Sequence, residues 1–288
     1  MKNILILGCG YVGENVAKAC LARGASVVGS TRCEQRVKEL EALGIEAVLA
    51  DSPDMLSDEI LASCDAVVDS IPLERSGQKF WAGQVNWIPK LAQKLQQVKW
   101  IGYLSSTGVY GDADGAWVDE SWPCKPSSLR GKQRLIAEDA WLNSSLPVEV
   151  FRLAGIYGPD RNIIPRLKAG QYKAVDWKPP HFSSRIHVDD IVAALLAAMN
   201  KPRVGRIMNL ADDDPLPHID YVTELARIIG APEPVKLTPD EGDVQLSAAA
   251  LAFFGDNKRA SNRLLHEELL PDLQYPSFRE GFGSMINS

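Results

Sequence analysis

Residues 4–17 read ILILGCGYVGENVA, an apolar run that ends in glycines and continues into an amphipathic stretch. Gly8, Gly10 and Gly13 therefore fall between a strand pattern and a helix pattern, the context in which Gly-x-Gly-x-x-Gly marks a dinucleotide site. Each glycine has its own reason. Gly8 permits a tight turn, Gly10 lets a pyrophosphate approach the backbone, and Gly13 lets helix pack on strand. The backbone of Gly10, Tyr11, Val12 and Gly13 then opens a helix, whose N-terminus attracts phosphate. A tight turn without a ligand would use the same glycines; the pattern that follows favours the cofactor.

That pattern alternates β-branched apolar runs with amphipathic stretches: NILILG, ENVAKACLARG, SVVGSTR, EQRVKELEALG, EAVLAD, DEILASC and DAVVDSIP. It predicts βαβ units, an α/β fold with a doubly wound parallel Rossmann sheet and helices on both faces. Gly24 and Gly44 follow helical runs and precede strands, where a left-handed helix end favours glycine. Two more units follow, QVNWIPKLAQKLQQ into KWIGYLSS and GKQRLIAEDAWLN into PVEVFRLAG. Beyond Gly158 the pattern loosens, and KPPHFSS and DDDPLPH are rich in Pro and polar residues. Between them RIHVDDIVAALLAAMN reads as a helix led in by aspartates, followed by the strand-like GRIMNLA. The expected division is a dinucleotide-binding domain of 1–155 plus 186–211 and a smaller, C-terminal substrate lobe of 156–185 plus 212–288.

With 288 residues the chain can bury a substantial core. Lys and Arg total 31 against 37 Asp and Glu, so the net charge of -6 favours neither a nucleic-acid backbone nor an anionic membrane as partner. The expected partner is a small molecule, anionic ligands included, and the expected state a monomer or homodimer. The cysteines at 9, 20, 33, 64 and 124 are scattered, with no closely spaced pair, which points to a reducing cytoplasm. The N-terminal apolar run is too short for a signal-peptide core, and no stretch approaches the roughly 20 apolar residues of a membrane-spanning helix. Four histidines without metal-ligand spacing predict no metal site.

NAD sites place an acid about 20 residues past the glycines to hold the ribose 2′-hydroxyl. Here the second strand ends in Ser30-Thr31-Arg32. A guanidinium there suits adenine stacking and a 2′-phosphate, so NADP(H) is expected over NAD(H), the alternative being a solvated arginine at a helix start. Asp51, closing the third strand in VLADSPD, is placed to reach the adenine amino group or to make an Asx turn.

With these motifs in hand, the chain resembles the extended short-chain dehydrogenase/reductase family, the NAD-dependent epimerase/dehydratase group, over nearly its full length. The likeness also rests on YLSSTGVYGD (103–112), FRLAGIYGPDRN (151–162), SRIHVDDIVAAL (184–195) and MNLADDDP (208–215). It implies two lobes binding NAD(P) and, commonly, a nucleotide-sugar. It also implies that Ser106, four residues before Tyr110, hydrogen-bonds the reacting oxygen, with Ser105 or Thr107 close enough to share the task. Hydroxyls satisfying backbone groups at a strand end are the other reading.

The family's Tyr-x-x-x-Lys should follow on the next helix. The matching run is RGKQRLIAE (130–138), so Arg130 replaces the tyrosine and Arg134 the lysine. An arginine stays protonated above pH 12 and cannot exchange a proton as tyrosinate does. Lys132 is turned about 200° away along the helix, whereas Arg130 and Arg134 share a face. Their forks suit phosphate, carboxylate or ribose hydroxyls, with Arg130 expected toward an anionic substrate and Arg134 toward the nicotinamide ribose; a solvated basic face is the alternative. Tyr110 and Tyr157 are the substitute proton donors to consider, each better read as a packed aromatic with its hydroxyl tied off. His187, beside Asp189 and Asp190, reads as a helix-start residue. In the second lobe Arg161, Asn162, Arg185, Lys258 and Arg259 are candidate substrate or anion contacts, against scattered surface charge.

The expectation is therefore an NADP(H)-dependent oxidoreductase or epimerase/dehydratase-like enzyme for a small anionic or nucleotide-sugar-like substrate, without the usual dyad. Its rival is a non-catalytic NADP(H)-binding regulatory protein.

Overall fold

Seven strands form one sheet: β1 (Asn3–Leu7), β2 (Ser26–Thr31), β3 (Glu46–Leu49), β4 (Ala66–Asp69), β5 (Trp100–Ser106), β6 (Val148–Leu153) and β7 (Ile207–Leu210). Their order is β7-β6-β5-β4-β1-β2-β3. The pairings β1–β2, β1–β4, β2–β3 and β4–β5 are parallel, with Leu5 opposite both Val28 and Val67. Parallel strands covered on both faces read as continuous apolar runs, and Ala66, Val67, Val68 and Asp69 are all buried. The doubly wound α/β sheet is thus the one the alternating pattern predicts. The structure is a computed structural model and describes residues 1–76, 79–95, 97–247, 251 and 254–286; the other residues of the expected second lobe, 248–250, 252–253 and 287–288, lie outside it.

Helices α1 (Tyr11–Leu21), α2 (Glu34–Ala42), α3 (Asp58–Ser63), α4 (Gln84–Lys94), α5 (Leu129–Leu142) and α6 (Val188–Asn200) connect the strands. Gly24 and Gly44 have φ of +78° and +82°, at the helix ends where the sequence places them. The expected helix 185–200 begins three residues late, because Arg185–His187 is a short strand paired with Gly155–Tyr157.

Internal contacts group the chain into two units. Unit 1 comprises Met1–Ser106, Leu129–Arg152 and Ile191–Met208. Its core joins Leu5, Leu7 and Val67 of the sheet to Trp87, Ile88 and Leu91 of α4 and Ala137 and Trp141 of α5. β1 lies between β4 and β2, so the chain reverses direction across the sheet beside β1, and ligands of such sheets bind at the carboxyl ends of the strands there. The glycine turn follows β1 at that edge, and residues 69–71 follow β4.

Unit 2 comprises Thr107–Ser128, Leu153–Asp190 and Asn209–Ser288. It is built from two-stranded pairings and the helices His218–Ile228 and Phe278–Ile286, around Tyr157, Leu167, Tyr221, Leu225, Phe278 and Phe282. Residues 107–128, which the sequence pattern keeps with the first domain, group here. Trp117–Val118 pairs with Arg259–Ala260, and the amides of Ala113 and Gly115 donate to the carbonyl of Asn257.

Candidate functional site

The turn after β1 is tied to β2 by its backbone. The Gly8 amide donates to Ser30 Oγ at 3.1 Å, and Cys9 donates to the Ser30 carbonyl at 2.8 Å. Gly8 sits at φ +73°, and a Cβ there would lie 2.8 Å from Ile71 Cγ1. Both left-handed backbone and close packing exclude a side chain. A Cβ on Gly13 would lie 2.9 Å from Ile6 Cγ2 and 3.1 Å from Ser70 Oγ, so Gly13 brings α1 against the sheet. Gly10 differs: its Cβ would meet only the Gly8 carbonyl, at 3.9 Å. Open space therefore lies over Gly10, the N-cap of α1, where a helix leaves its first N–H groups without intrahelical acceptors. Val12 is buried, and the Tyr11 carbonyl accepts from Asn15. Burial pushes the Cys9 thiol up to about 12, which makes it a packing residue.

At the end of β2, Thr31 Oγ1 accepts from the Cys33 amide at 3.2 Å. Arg32 is exposed and makes no ion pair among the described residues. Arg36, one turn into α2, does: it bridges Glu14 of α1 and Glu39. No carboxylate occupies the last positions of β2. Asp51 is exposed, and the Asx-turn alternative fails because residue 53 is a proline and has no N–H to donate.

At the end of β5, Ser105 and Ser106 divide their roles. Ser105 is buried and donates to Glu138, whose other carboxylate oxygen lies 2.8 Å from Arg152 Nη2; all three are buried. Ser105 thus belongs to a structural network. Ser106 is half-buried, and Thr107, equally half-buried, opens the short 3-10 turn Thr107–Val109.

Arg130 and Arg134 of α5 also part ways. Arg130 is exposed in the first turn. Arg134 is buried, which removes the solvated-face reading for it. Its Nη1 donates to the Tyr103 hydroxyl at 2.9 Å and, in longer contacts of 3.4 Å, to the carbonyls of Ile71 and Leu104.

Three tyrosine hydroxyls are accounted for. Burial holds the Tyr103 phenol above its ordinary range against the pull of the Arg134 charge. Tyr110, fully buried, donates to Asn209 Oδ1 at 2.7 Å. Tyr157 donates to the Ser277 carbonyl at 3.3 Å, and burial, with Asp212 and Asp190 nearby, raises it far above the usual phenol range. Tyr110 and Tyr157 are therefore packed aromatics, the second of the two readings above.

Within unit 2, two expected substrate contacts prove to have structural work. Asn162 donates to the carbonyls of Gly158 and Pro159 and accepts from the Ile164 amide, so its amide group shapes its own turn. Arg185 is buried with its guanidinium carbon 3.7 Å from the centre of the Tyr221 ring, and Nη1 donates to the Ser183 carbonyl. Arg161 is exposed. Arg259 lies over the rings of Phe182 and Trp117, with Nε donating to the Gly115 carbonyl. Lys258 is largely buried, 3.8 Å from Asp256. His187 Nδ1 accepts from the Asp189 amide at 3.1 Å, a helix-start role that requires a neutral ring; burial lowers its pKa accordingly. Asp190 accepts from the amides of Gln274 and Tyr275. An open cavity of about 200 Å³ in this unit is lined by Asp112, Asp114, Trp177, His181, Phe254 and Asn257 among others, and none of the expected substrate residues reaches it. Among the described residues no three His, Cys, Asp or Glu group as metal ligands, and no helix is long and apolar enough to cross a membrane.

Sequence reasoning missed Ser30, Asp69, Ser70 and Ile71. Ser70 Oγ donates to the Gly8 carbonyl at 2.6 Å, so the segment after β4 is bonded to the glycine turn. The signal was a charged residue closing an otherwise apolar buried strand, AVVD.

A model of the NAD dependent epimerase/dehydratase family matches residues 4–211. Protein YeeZ of Escherichia coli K12 is 30% identical over 288 residues, covering 94% of this chain and 97% of its own. Among solved structures, a conserved protein of unknown function from Silicibacter pomeroyi aligns with a TM-score of 0.89 at 33% identity, over 99% of this chain and 98% of that one. The UDP-glucuronic acid 4-epimerase of Bacillus cereus, solved in complex with NAD, aligns with a TM-score of 0.76 at 18% identity over 99% and 95% of the two chains, a likeness of fold.

Proposed function

The chain belongs to the NAD-dependent epimerase/dehydratase family, and from that premise we propose that it is an NADP(H)-dependent oxidoreductase or epimerase/dehydratase-like enzyme without a tyrosine acid or base. The observation that carries the cofactor half is the open space over Gly10 at the N-terminus of α1, bounded by two glycines that admit no Cβ. Gly10, Tyr11, Val12 and Gly13 hold the pyrophosphate, Arg32 with Thr31 holds the 2′-phosphate, and Asp51 faces the adenine. The preference for NADP(H) rests on an exposed Arg32, without an ion pair among the described residues, where NAD sites keep an acid. Bound there, the nicotinamide supplies a hydride donor or acceptor.

Ser106, with Thr107 beside it, polarises the reacting oxygen. Arg130 stays cationic at every working pH and binds an anionic group of the substrate, a small acid or a nucleotide-sugar-like molecule. Arg161 and Arg259 are the further anion contacts of unit 2. The proton comes from water or from the substrate itself. A reducing cytoplasm suits five cysteines of which none is in a disulfide.

The locked hydroxyls of Tyr103, Tyr110 and Tyr157 favour a second reading, a non-catalytic NADP(H)-binding regulator. Oxidation of NADPH with a panel of carbonyl compounds and sugar nucleotides separates the two. Turnover above background that is lost in Ser106→Ala supports the enzyme; tight NADPH binding with no turnover on any of them supports the regulator.

A further inference from the structure

Arg134 stands where the family's lysine is expected, yet its guanidinium points to protein groups. Opposite Tyr103 in the β4–β5 pairing stands Asp69, the last residue of β4 and wholly buried. The Asp69 carboxylate accepts from Trp141 Nε1 of α5 at 2.8 Å, from Gln84 Nε2 of α4 at 3.3 Å and from the Ile71 amide at 3.0 Å. Burial raises the Asp69 pKa above the ordinary carboxylate value, with the three donors and the nearby Arg134 charge opposing it. Ile71 is thereby held through both its backbone polar groups: its N–H donates to Asp69 and its carbonyl accepts from Arg134. Ile71 is also the residue against which Gly8 packs, its Cα 3.0 Å from where a Gly8 Cβ would be. Between them Ser70 Oγ donates to the Gly8 carbonyl, and the Ser70 amide to the Leu7 carbonyl at 3.0 Å.

A continuous set of contacts therefore runs from α4 and α5 through residues 69–71 to the glycine turn. We infer that Asp69 and Arg134 are positioning residues for the dinucleotide site: together they fix Ser70 and Ile71, and through these the backbone of Gly8, so Arg134 acts on the cofactor through Ile71 and not by touching the ribose. A lysine offers a compact point charge; an arginine offers a fork that reaches several carbonyl and hydroxyl acceptors at once. The inference rests on the reading of the glycine turn as a dinucleotide site, and it gives the altered lysine position a task.

The test is a double-mutant cycle on the full chain with NADPH as the probe, using Asp69→Asn, Arg134→Gln and the pair, with amide hydrogen exchange of Ser70 and Ile71 read in parallel. Asp69→Asn keeps the shape and one acceptor; with its oxygen left to Trp141 and Gln84, its amide nitrogen faces the Ile71 amide, which loses its acceptor. Should that variant fail to fold, Trp141→Phe, which removes one donor to Asp69, takes its place. Each single change is expected to weaken NADPH about tenfold, the scale of one lost hydrogen bond, and to speed exchange at Ile71. The pair should be no worse than the poorer single change, since both act through one segment. Losses that multiply in the pair, with Ile71 exchange unaltered, would overturn the inference in favour of a direct ribose contact. If the wild-type protein binds no dinucleotide, the reading of the site fails, and the exchange data alone decide whether Asp69 and Arg134 hold the turn.

Discussion

Arg134 donates to the Tyr103 hydroxyl across 2.9 Å, so the tyrosine near the altered dyad is an acceptor for a buried guanidinium. Its phenol is raised by burial, and Tyr157 is raised likewise. Any turnover should therefore lack the pH-rate limb that a tyrosine of depressed pKa produces between pH 6 and 9. A profile of kcat/KM is the measurement. A limb abolished by Tyr103→Phe would show the phenol to be the acid after all.

Much of this was legible before the structure. Strand and helix alternation announces the sheet because apolar periodicity survives wherever both faces of a parallel sheet are covered. The three glycines announce the turn because no other residue tolerates φ +73° against Ile71 or a 2.9 Å approach to Ile6. What was not legible depends on long-range geometry. Nothing local distinguishes Arg130, exposed, from Arg134, buried four residues later, because burial is decided by what the sheet presents to each side of α5. Asn162 and Arg185 sit in motifs that resemble ligand contacts, yet the Asn162 amide bonds the backbone of its own turn and Arg185 Nη1 donates to the nearby Ser183 carbonyl. A tertiary contact such as Ser70 to Gly8, 62 residues apart, has no sequence period to reveal it.

Gly13→Val should destabilise the fold. The new side chain collides with Ile6 and Ser70, and overpacking of this kind costs about 1–3 kcal/mol. Urea unfolding should show a lower midpoint with an unchanged slope.

Arg32→Ala should weaken NADPH by roughly one to two orders of magnitude, the range of a charge-assisted hydrogen bond, and leave NADH nearly untouched. Titration with both cofactors reads the difference. Equal losses would assign Arg32 to adenine stacking.

Asp212 gives stability a pH dependence of unusual sign. It is buried, and burial raises its pKa from 3.8 to about 7, with Asp214 adding and the Arg185 charge and backbone hydrogen bonds opposing. The folded state then binds more protons than the unfolded state between about pH 4 and 7, so this group's contribution to stability falls as pH rises through that window and levels off above it. The full loss is on the order of 4 kcal/mol. Asp212→Asn, neutral throughout, should be more stable than the wild type at pH 8 and lose that advantage toward pH 4. An identical pH dependence in both proteins would mean that Asp212 is ionised and paired at neutral pH.

The central claim, that the turn after β1 holds a dinucleotide over Gly10, is tested most directly by calorimetric titration of the wild type and Gly10→Val with NADPH. Space for the new side chain exists, with only the Gly8 carbonyl within 4 Å of its Cβ, so the variant should fold. The wild type should bind one equivalent of NADPH, more tightly than NADH, and the folded variant none, because the valine fills the space the pyrophosphate needs. Equal NADPH affinity in the wild type and a folded Gly10→Val would contradict the account.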